Sequence, residues 1–183
     1  PFLNALVLRR REKLGYALFD RQQGFSAPIK FLRDAGQIGV LVDQHAGDHG
    51  LWCPFFGRLA SSTPIAALMA IRTNAVVMPM MVYDDGPARW RLVAAPEVTA
   101  EEKTAESLTV AINLAVEKLI REQPASWFWV HNRWKTPKPN FLLSSYKRGV
   151  VLPAGWSAEK LKPFELLIRS PNWLGDACMA FPM

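Results

Sequence analysis

The sequence holds three histidines, at positions 45, 49 and 131, that could supply a proton acceptor or a metal ligand. His45 and His49 are four residues apart, a spacing that would bring two imidazoles to one zinc ion on a helix. Gly47 and Gly50 favour a loop at this point instead. We therefore expect an exposed histidine pair and no metal site.

His131 belongs to a second group, with Arg133 and Lys135 close behind it. An imidazole can accept a hydroxyl proton, and the two cations suit phosphate groups. The spacing is equally compatible with a ligand-facing cluster and with a basic surface patch. Asp43 and Gln44 could bind a polar substrate group, or could satisfy the backbone of their own loop.

Basic residues are unevenly distributed in this chain, whose net charge is +6. Such clusters suit phosphates on nucleic acid, on anionic lipid or on a substrate, although a solvated surface is the alternative. Trp127, Trp129 and Trp134 could stack on bases, but no zinc finger, RNP-type strand or glycine-rich phosphate loop supports nucleic acid. The clusters are Arg9, Arg10, Arg11 and Lys13, then Arg133, Lys135, Lys138, Lys147 and Arg148.

Composition places the 183-residue chain among globular proteins with one main core. It has no apolar run of about 20 residues and no visible signal peptide. Cys53 and Cys178 are far apart, which favours a reducing compartment. Because the chain starts at Pro1 and stops at Met183, we expect a piece of a longer protein, with an upstream anchor possible.

Helical and extended patterns alternate, which predicts an α/β fold with a mixed sheet. Predicted strands cover residues 38–42, 76–83, 90–94 and 127–130. The first two predicted helices cover residues 2–19, with an end near Gly15, and residues 26–36. The third is capped by Ser61, Ser62 or Thr63 and ends at Asn74. The fourth begins at a Thr99/Glu102 capping box and ends before Pro124. Asp43 and Gln44 follow the first strand, where open α/β sheets bind ligands.

The order of these blocks resembles the lipid A biosynthesis (lauroyl/myristoyl) acyltransferases, relatives of the glycerolipid acyltransferases. The resemblance covers about residues 1–137 and implies a partial mixed-sheet α/β sandwich of the glycerolipid acyltransferase type. The matching residues are Asn4, Arg11-x-x-x-Gly15, Leu41-Val42-Asp43-Gln44, Gly50, Pro54-Phe55-Phe56-Gly57, Thr63, Val77-Met78-Pro79, Thr109-x-x-x-Asn113, Glu117, Ile120-Arg121, Pro124 and Trp127-x-Trp129-x-His131-x-Arg133-Trp134-Lys135.

The resemblance implies transfer of a fatty acyl chain from acyl carrier protein, or another acyl thioester, to a hydroxyl of a phosphorylated lipid A precursor. It implies no cofactor and no nucleic acid, and a location at the anionic cytoplasmic face of the bacterial inner membrane, peripheral or anchored by a missing N-terminal segment. The candidate substrate-binding residues are Arg11, Asp43, Gln44, His131, Arg133 and Lys135.

The family's general base is a His in an H-x-x-x-x-D/E motif. The residues five positions after the three histidines are Gly50, Pro54 and Thr136, none of them acidic. We therefore expect no catalytic residue of the acyltransferase in this chain and no acyl transfer by the chain alone.

Residues 138–162 read as a linker, and residues 163–183 resemble the opening of ADP-heptose:lipopolysaccharide heptosyltransferases. There a truncated βα unit begins with an apolar strand at 164–168, and the resemblance makes Asp176 its candidate base. Two alternatives stay open: a non-catalytic basic and aromatic module that binds anionic lipid or nucleic acid, and a glycosyltransferase whose main body follows Met183.

Overall fold

The computed structural model describes residues 2–19, 24–135 and 149–161. Within these residues the chain forms four α-helices and two antiparallel strand pairs, so the predicted α/β class is confirmed. The predicted mixed sheet is not formed by the described strands, which belong to two separate antiparallel pairs. The elements are α1 (Phe2–Lys13), α2 (Ser26–Arg33), β1 (Leu51–Phe55), β2 (Arg58–Ser62), α3 (Ile65–Thr73), β3 (Met80–Asp84), β4 (Trp90–Ala94) and α4 (Ala105–Glu122), with single 3-10 turns at Pro124–Ser126 and Ala158–Lys160.

The β1–β2 hairpin was not predicted from the sequence. Its two-residue turn places Phe56 and Gly57 at φ of 53° and 78°, the pair of positive values that a type I′ turn requires. The Oε2 atom of Glu117, on α4, accepts the backbone N–H of Phe56 at 2.6 Å. This contact from a distant helix supports a residue type that rarely adopts positive φ.

The start of α3 differs from the prediction because Ser61 and Ser62 lie in β2. Thr63 is the one predicted cap that bonds to the helix start, where its Oγ1 accepts the N–H of Ile65 at 3.4 Å. Asn74 ends α3 as predicted, in a left-handed conformation with φ of 54°.

The long helix α4 carries the core. Leu108 and Ile112 pack with α3, and Ile120 packs with Phe55 and Trp127 beside the β1–β2 hairpin. The predicted Thr99/Glu102 capping box is wrong, because the helix begins five residues later than Thr99 predicts. Its cap is Thr104, whose Oγ1 accepts the N–H of Ser107 at 3.1 Å. The predicted end before Pro124 is confirmed.

The β3–β4 hairpin packs on the far end of α4. The hydroxyl of Tyr83 donates to the carbonyl of Leu119 at 2.8 Å. The bounds predicted for β4 are confirmed, but β3 begins at Met80 rather than at residue 76. Pro79 lacks an N–H, so the pairing before Met80 is one-sided, with the Pro79 carbonyl accepting the N–H of Ala95 at 2.8 Å.

Two predicted strands are wrong. Residues 38–42 are apolar but form no ladder with any described segment, and a strand requires one. All of them except the exposed Leu41 line a groove of about 230 Å³ between α2, α3, α4 and residues 75–80. Residues 127–130 form turns in which the N–H of Trp129 bonds to the Trp127 carbonyl at 3.0 Å. Their aromatic rings pack against one another instead of extending a sheet.

The first helix ends at Lys13, and Gly15 follows at φ of 82°, as predicted. The second begins at Ser26 and is three residues shorter than predicted.

Part of the predicted linker packs on β1, where the N–H of Val151 bonds to the Trp52 carbonyl at 2.9 Å. The predicted strand at 164–168 and Asp176 lie outside the described residues. No helix in the described part of the chain combines the length and hydropathy that a membrane span needs.

Candidate functional site

Asp43 and His131, two of the predicted substrate-binding residues, are in direct contact. The Nε2 atom of His131 lies 3.0 Å from the backbone carbonyl of Asp43, and the Oδ2 atom of Asp43 accepts the indole N–H of Trp127 at 2.8 Å. The loop after residue 42 is therefore joined to the turn after α4 by two bonds that span more than eighty residues of sequence.

Both ring nitrogens of His131 face backbone carbonyls, and a neutral imidazole, which has one N–H, donates to one of the two. Its Nδ1 atom faces the carbonyl of Phe128 at 2.5 Å, and its Nε2 atom faces the carbonyl of Asp43. Carbonyl oxygens only accept hydrogen bonds, so neither ring nitrogen has its lone pair directed at a free ligand. This arrangement orients the loop and does not suit a general base.

Arg133 is held inside the fold and has no solvent exposure. Its Nη1 donates to the Ser61 carbonyl at 2.5 Å and its Nη2 to the Ser62 hydroxyl at 2.7 Å, while its guanidinium lies over the Phe55 ring at 5.0 Å. Burial lowers the pKa of Arg133 to about 10, partly offset by the nearby Cys53 and Asp43. The guanidinium thus fastens the 131–135 segment to β2.

A buried polar cluster surrounds this guanidinium. The amide Nδ2 of Asn113, on α4, donates to the Ser62 hydroxyl at 2.7 Å and to the Cys53 sulfur at 3.0 Å. All three residues are at least 98% buried. Helix α4, both strands of the β1–β2 hairpin and the 131–135 segment therefore share one hydrogen-bond network.

Gln44 and Lys135 are the predicted site residues that are exposed near this junction, and Asp43 and His131 are half-buried. Arg11 is exposed on α1, and among the described residues no hydrogen bond or ion pair joins it to the other five candidates. Asp43 and His131 are thus joined directly, Arg133 and Lys135 follow on the same segment, and Arg11 stands apart.

His45 lies in a loop, as predicted, but its predicted exposure is wrong because the side chain is half-buried. Its ring is edge-on to Trp52 with the centroids 6.0 Å apart. Its buried Nδ1 has no hydrogen-bond partner among the described residues. Desolvation lowers the pKa of His45, and the charges of Arg133 and Lys135 lower it further. The described residues include no group of three or more His, Cys, Asp or Glu side chains arranged to hold a metal ion.

The lowered pKa of His45 predicts a loss of stability in mild acid. Below the ordinary value of 6.5 the unfolded chain takes up a proton that the folded chain resists, so the free energy of unfolding falls as pH falls from 6.5 through the folded pKa. We expect His45→Gln to weaken this dependence in urea unfolding at pH 7.5 and pH 5, with the exposed His49→Gln as control. If the free energy of unfolding of His45→Gln depends on pH as strongly as that of the unmodified chain, His45 is not the group responsible.

The Cys53 thiol is predicted to be inert in the folded chain. Burial raises its pKa, and the thiolate is the form that reacts. In a Cys178→Ser background we expect iodoacetamide to alkylate folded Cys53 about a hundredfold more slowly than the urea-unfolded chain, because reaction requires local opening. Mass spectrometry over time measures both rates, and equal rates would show that the cluster is open to solvent.

Sequence reasoning did not assign a role to Asn113 or Glu117. They are four residues apart on α4, a spacing that places them on one face of the helix, and both bond to the β1–β2 hairpin. A polar pair at this spacing within the apolar α4 pattern is the signal that could have identified them as buried partners.

One comparison identifies relatives of this chain. A family model described as bacterial lipid A biosynthesis acyltransferase matches residues 1–136. No curated protein matches the chain.

Proposed function

Since the chain belongs to the bacterial lipid A biosynthesis acyltransferase family, we propose that it contributes the substrate side of an enzyme that acylates a phosphorylated lipid A precursor. The donor is acyl carrier protein or another acyl thioester. In the reaction the acceptor oxygen forms an ester with the acyl carbon, the carbon–sulfur bond breaks, and the hydroxyl proton passes through a base to the departing thiolate. The enzyme acts at the anionic cytoplasmic face of the inner membrane.

The observation that carries the proposal is the junction of Asp43 with His131 within the part of the chain that matches the family. Exposed Gln44 and Lys135 adjoin it and are free to face an acceptor. A lysine ammonium is suited to a phosphate group. We assign Lys135 to the acceptor phosphate, and Asp43, His131 and Arg133 to holding the loop and the turn that carry Gln44 and Lys135.

The proton acceptor in this proposal is not a residue of the chain. None of the histidines has an acid five positions on, and both ring nitrogens of His131 face carbonyls. We propose that an H-x-x-x-x-D/E motif in another segment of the enzyme supplies it. The 183-residue chain should then give no acylated product from acyl carrier protein and precursor, and a longer polypeptide that joins it to a segment carrying this motif should give it. Turnover by the 183-residue chain would contradict this step.

The role of Lys135 can be tested in that longer polypeptide. We expect Lys135→Met to raise KM for the phosphorylated acceptor by about fivefold, the loss of one partly exposed charge contact, with KM for the acyl donor unchanged. Lys30→Met is the matched control, because Lys30 is an exposed lysine on α2 paired with Asp34 at 2.9 Å. An unchanged KM in Lys135→Met would remove Lys135 from the acceptor site.

We retain the heptosyltransferase fusion as a proposal for residues 163–183, with Asp176 as candidate base. It rests on the resemblance of this short segment alone. The encoding DNA after Met183 tests it, since a heptosyltransferase reading frame must continue there.

A further inference from the structure

An apolar turn projects from the protein beside the Asp43–His131 junction. We call residues 128–130 the aromatic turn. Phe128 is 66% exposed, Trp129 47% and Val130 85%. The indole N–H of Trp129 donates to the Pro124 carbonyl at 2.7 Å, and the Phe128 ring stacks on His131 with the centroids 5.9 Å apart. The exposed side chains are therefore held in place by the fold.

Two exposed cations lie near the aromatic turn. The Arg121 side chain is 56% exposed and pairs with Glu117 at 2.6 Å. Its guanidinium lies over the Phe56 ring, which itself packs against Trp129 with the centroids 5.8 Å apart. Lys135 follows the turn and is exposed. Residues 123–135 contain no acidic side chain.

We propose that the aromatic turn is the surface by which this protein docks on an anionic phospholipid bilayer. Trp and Phe prefer the boundary between headgroups and acyl chains, and nearby Lys and Arg are attracted by anionic headgroups. The inference rests on the proposed function and deepens it, because docking here places the Asp43–His131 junction at the membrane surface from which a lipid acceptor arrives.

The molecule has another exposed apolar surface, and its charge favours the aromatic turn. The outer face of the β3–β4 hairpin exposes Trp90 and Leu92 by 70% and 62%. That hairpin carries Asp84 and Asp85 at its turn and Arg89 and Arg91 beside Trp90, so the formal charge of residues 80–94 is zero. Residues 123–135, by contrast, carry Arg133 and Lys135 and no acid. The hairpin face therefore provides a matched control for hydrophobicity.

Vesicle binding by the 183-residue chain tests the inference. We expect the chain to bind phosphatidylglycerol vesicles more tightly than phosphatidylcholine vesicles. Val130→Asp should weaken binding to phosphatidylglycerol vesicles by about tenfold, because one apolar side chain no longer enters the interface and a like charge is added. Leu92→Asp should bind like the unmodified chain. Circular dichroism checks each fold, and Phe128→Ser is a second variant that adds no charge.

The outcomes separate this inference from the proposed function. Failure of the unmodified chain to bind phosphatidylglycerol vesicles, or unchanged binding by both Val130→Asp and Phe128→Ser, would overturn it. Weakening by Leu92→Asp alone would move the contact to the hairpin. If Val130→Asp and Phe128→Ser lose binding to acyl carrier protein but still bind vesicles, the turn contacts an acidic protein. That result would overturn the bilayer assignment. Acyl transfer by the longer polypeptide, measured in solution without vesicles, tests the proposed function separately. Its result does not depend on whether the aromatic turn binds a bilayer.

Discussion

Replacement of Arg133 with methionine is expected to lower the free energy of unfolding by about 3 kcal/mol. Methionine fills much of the same space but removes the donors to the Ser61 carbonyl and the Ser62 hydroxyl. Hydrogen bonds from a charged donor contribute about 1.5–3 kcal/mol each, and the relief of a desolvated cation offsets part of that loss. Urea unfolding followed by circular dichroism measures the change.

The matched control is Arg121→Met. Arg121 also lies over a phenylalanine ring, at 4.7 Å, and pairs with Glu117, but more than half of its side chain is exposed. An exposed pair of this kind is worth at most about 1 kcal/mol. Equal effects of the two substitutions would show that the buried network around Arg133 adds no stability of its own.

Arg133 and Lys135 have different environments that the sequence does not distinguish. Arg133 and Lys135 are two residues apart in a basic segment, and from spacing both are candidates for a phosphate. Their environments differ, because Arg133 has no exposure whereas Lys135 is exposed. A sequence gives the number of cations in a segment, but the direction of each side chain depends on the backbone turns between them.

Element ends that are marked by nearby turn residues or proline were predicted correctly, as at the end of α4 and at both ends of β4. The helix α4 has a long apolar period and a proline after its end, and β4 follows a clear turn. The β1–β2 hairpin was missed because its turn places Phe56, not the usual Asn or Asp, at positive φ. That conformation is supported by Glu117, which is 61 residues away in sequence, and no local pattern records such a partner.

Asp43 and His131 were both predicted to bind substrate, and that role stays a prediction. The structure shows that they are in contact, because the Nε2 atom of His131 lies 3.0 Å from the Asp43 carbonyl. The strands expected to bring them together are absent at residues 38–42 and 127–130. The connection is made by a histidine and a tryptophan bonding to a loop aspartate. Apolar periodicity predicts elements but not single side-chain bonds between loops.

Replacement of Trp127 with alanine is expected to have the largest effect on stability of any single change considered for this chain, a loss of about 3–5 kcal/mol in the free energy of unfolding. Trp127 is 7% exposed and packs in the core with Phe55 and Ile120. Its removal leaves a cavity and also takes away the N–H that bonds to Asp43. Trp90→Ala is the control, because Trp90 is 70% exposed and its loss should cost about 0.5 kcal/mol or less.

Trp127→Phe divides this effect into its two causes. Phenylalanine keeps most of the buried ring and loses the bond to the Asp43 carboxylate, so we expect a cost of about 1–2 kcal/mol. Combined with Asp43→Ala, which removes the acceptor, in a double-mutant cycle, the substitution measures the coupling between the turn after α4 and the loop at residue 43. A coupling near zero would show that packing alone holds the two segments together, and that Asp43 is free to serve a ligand instead.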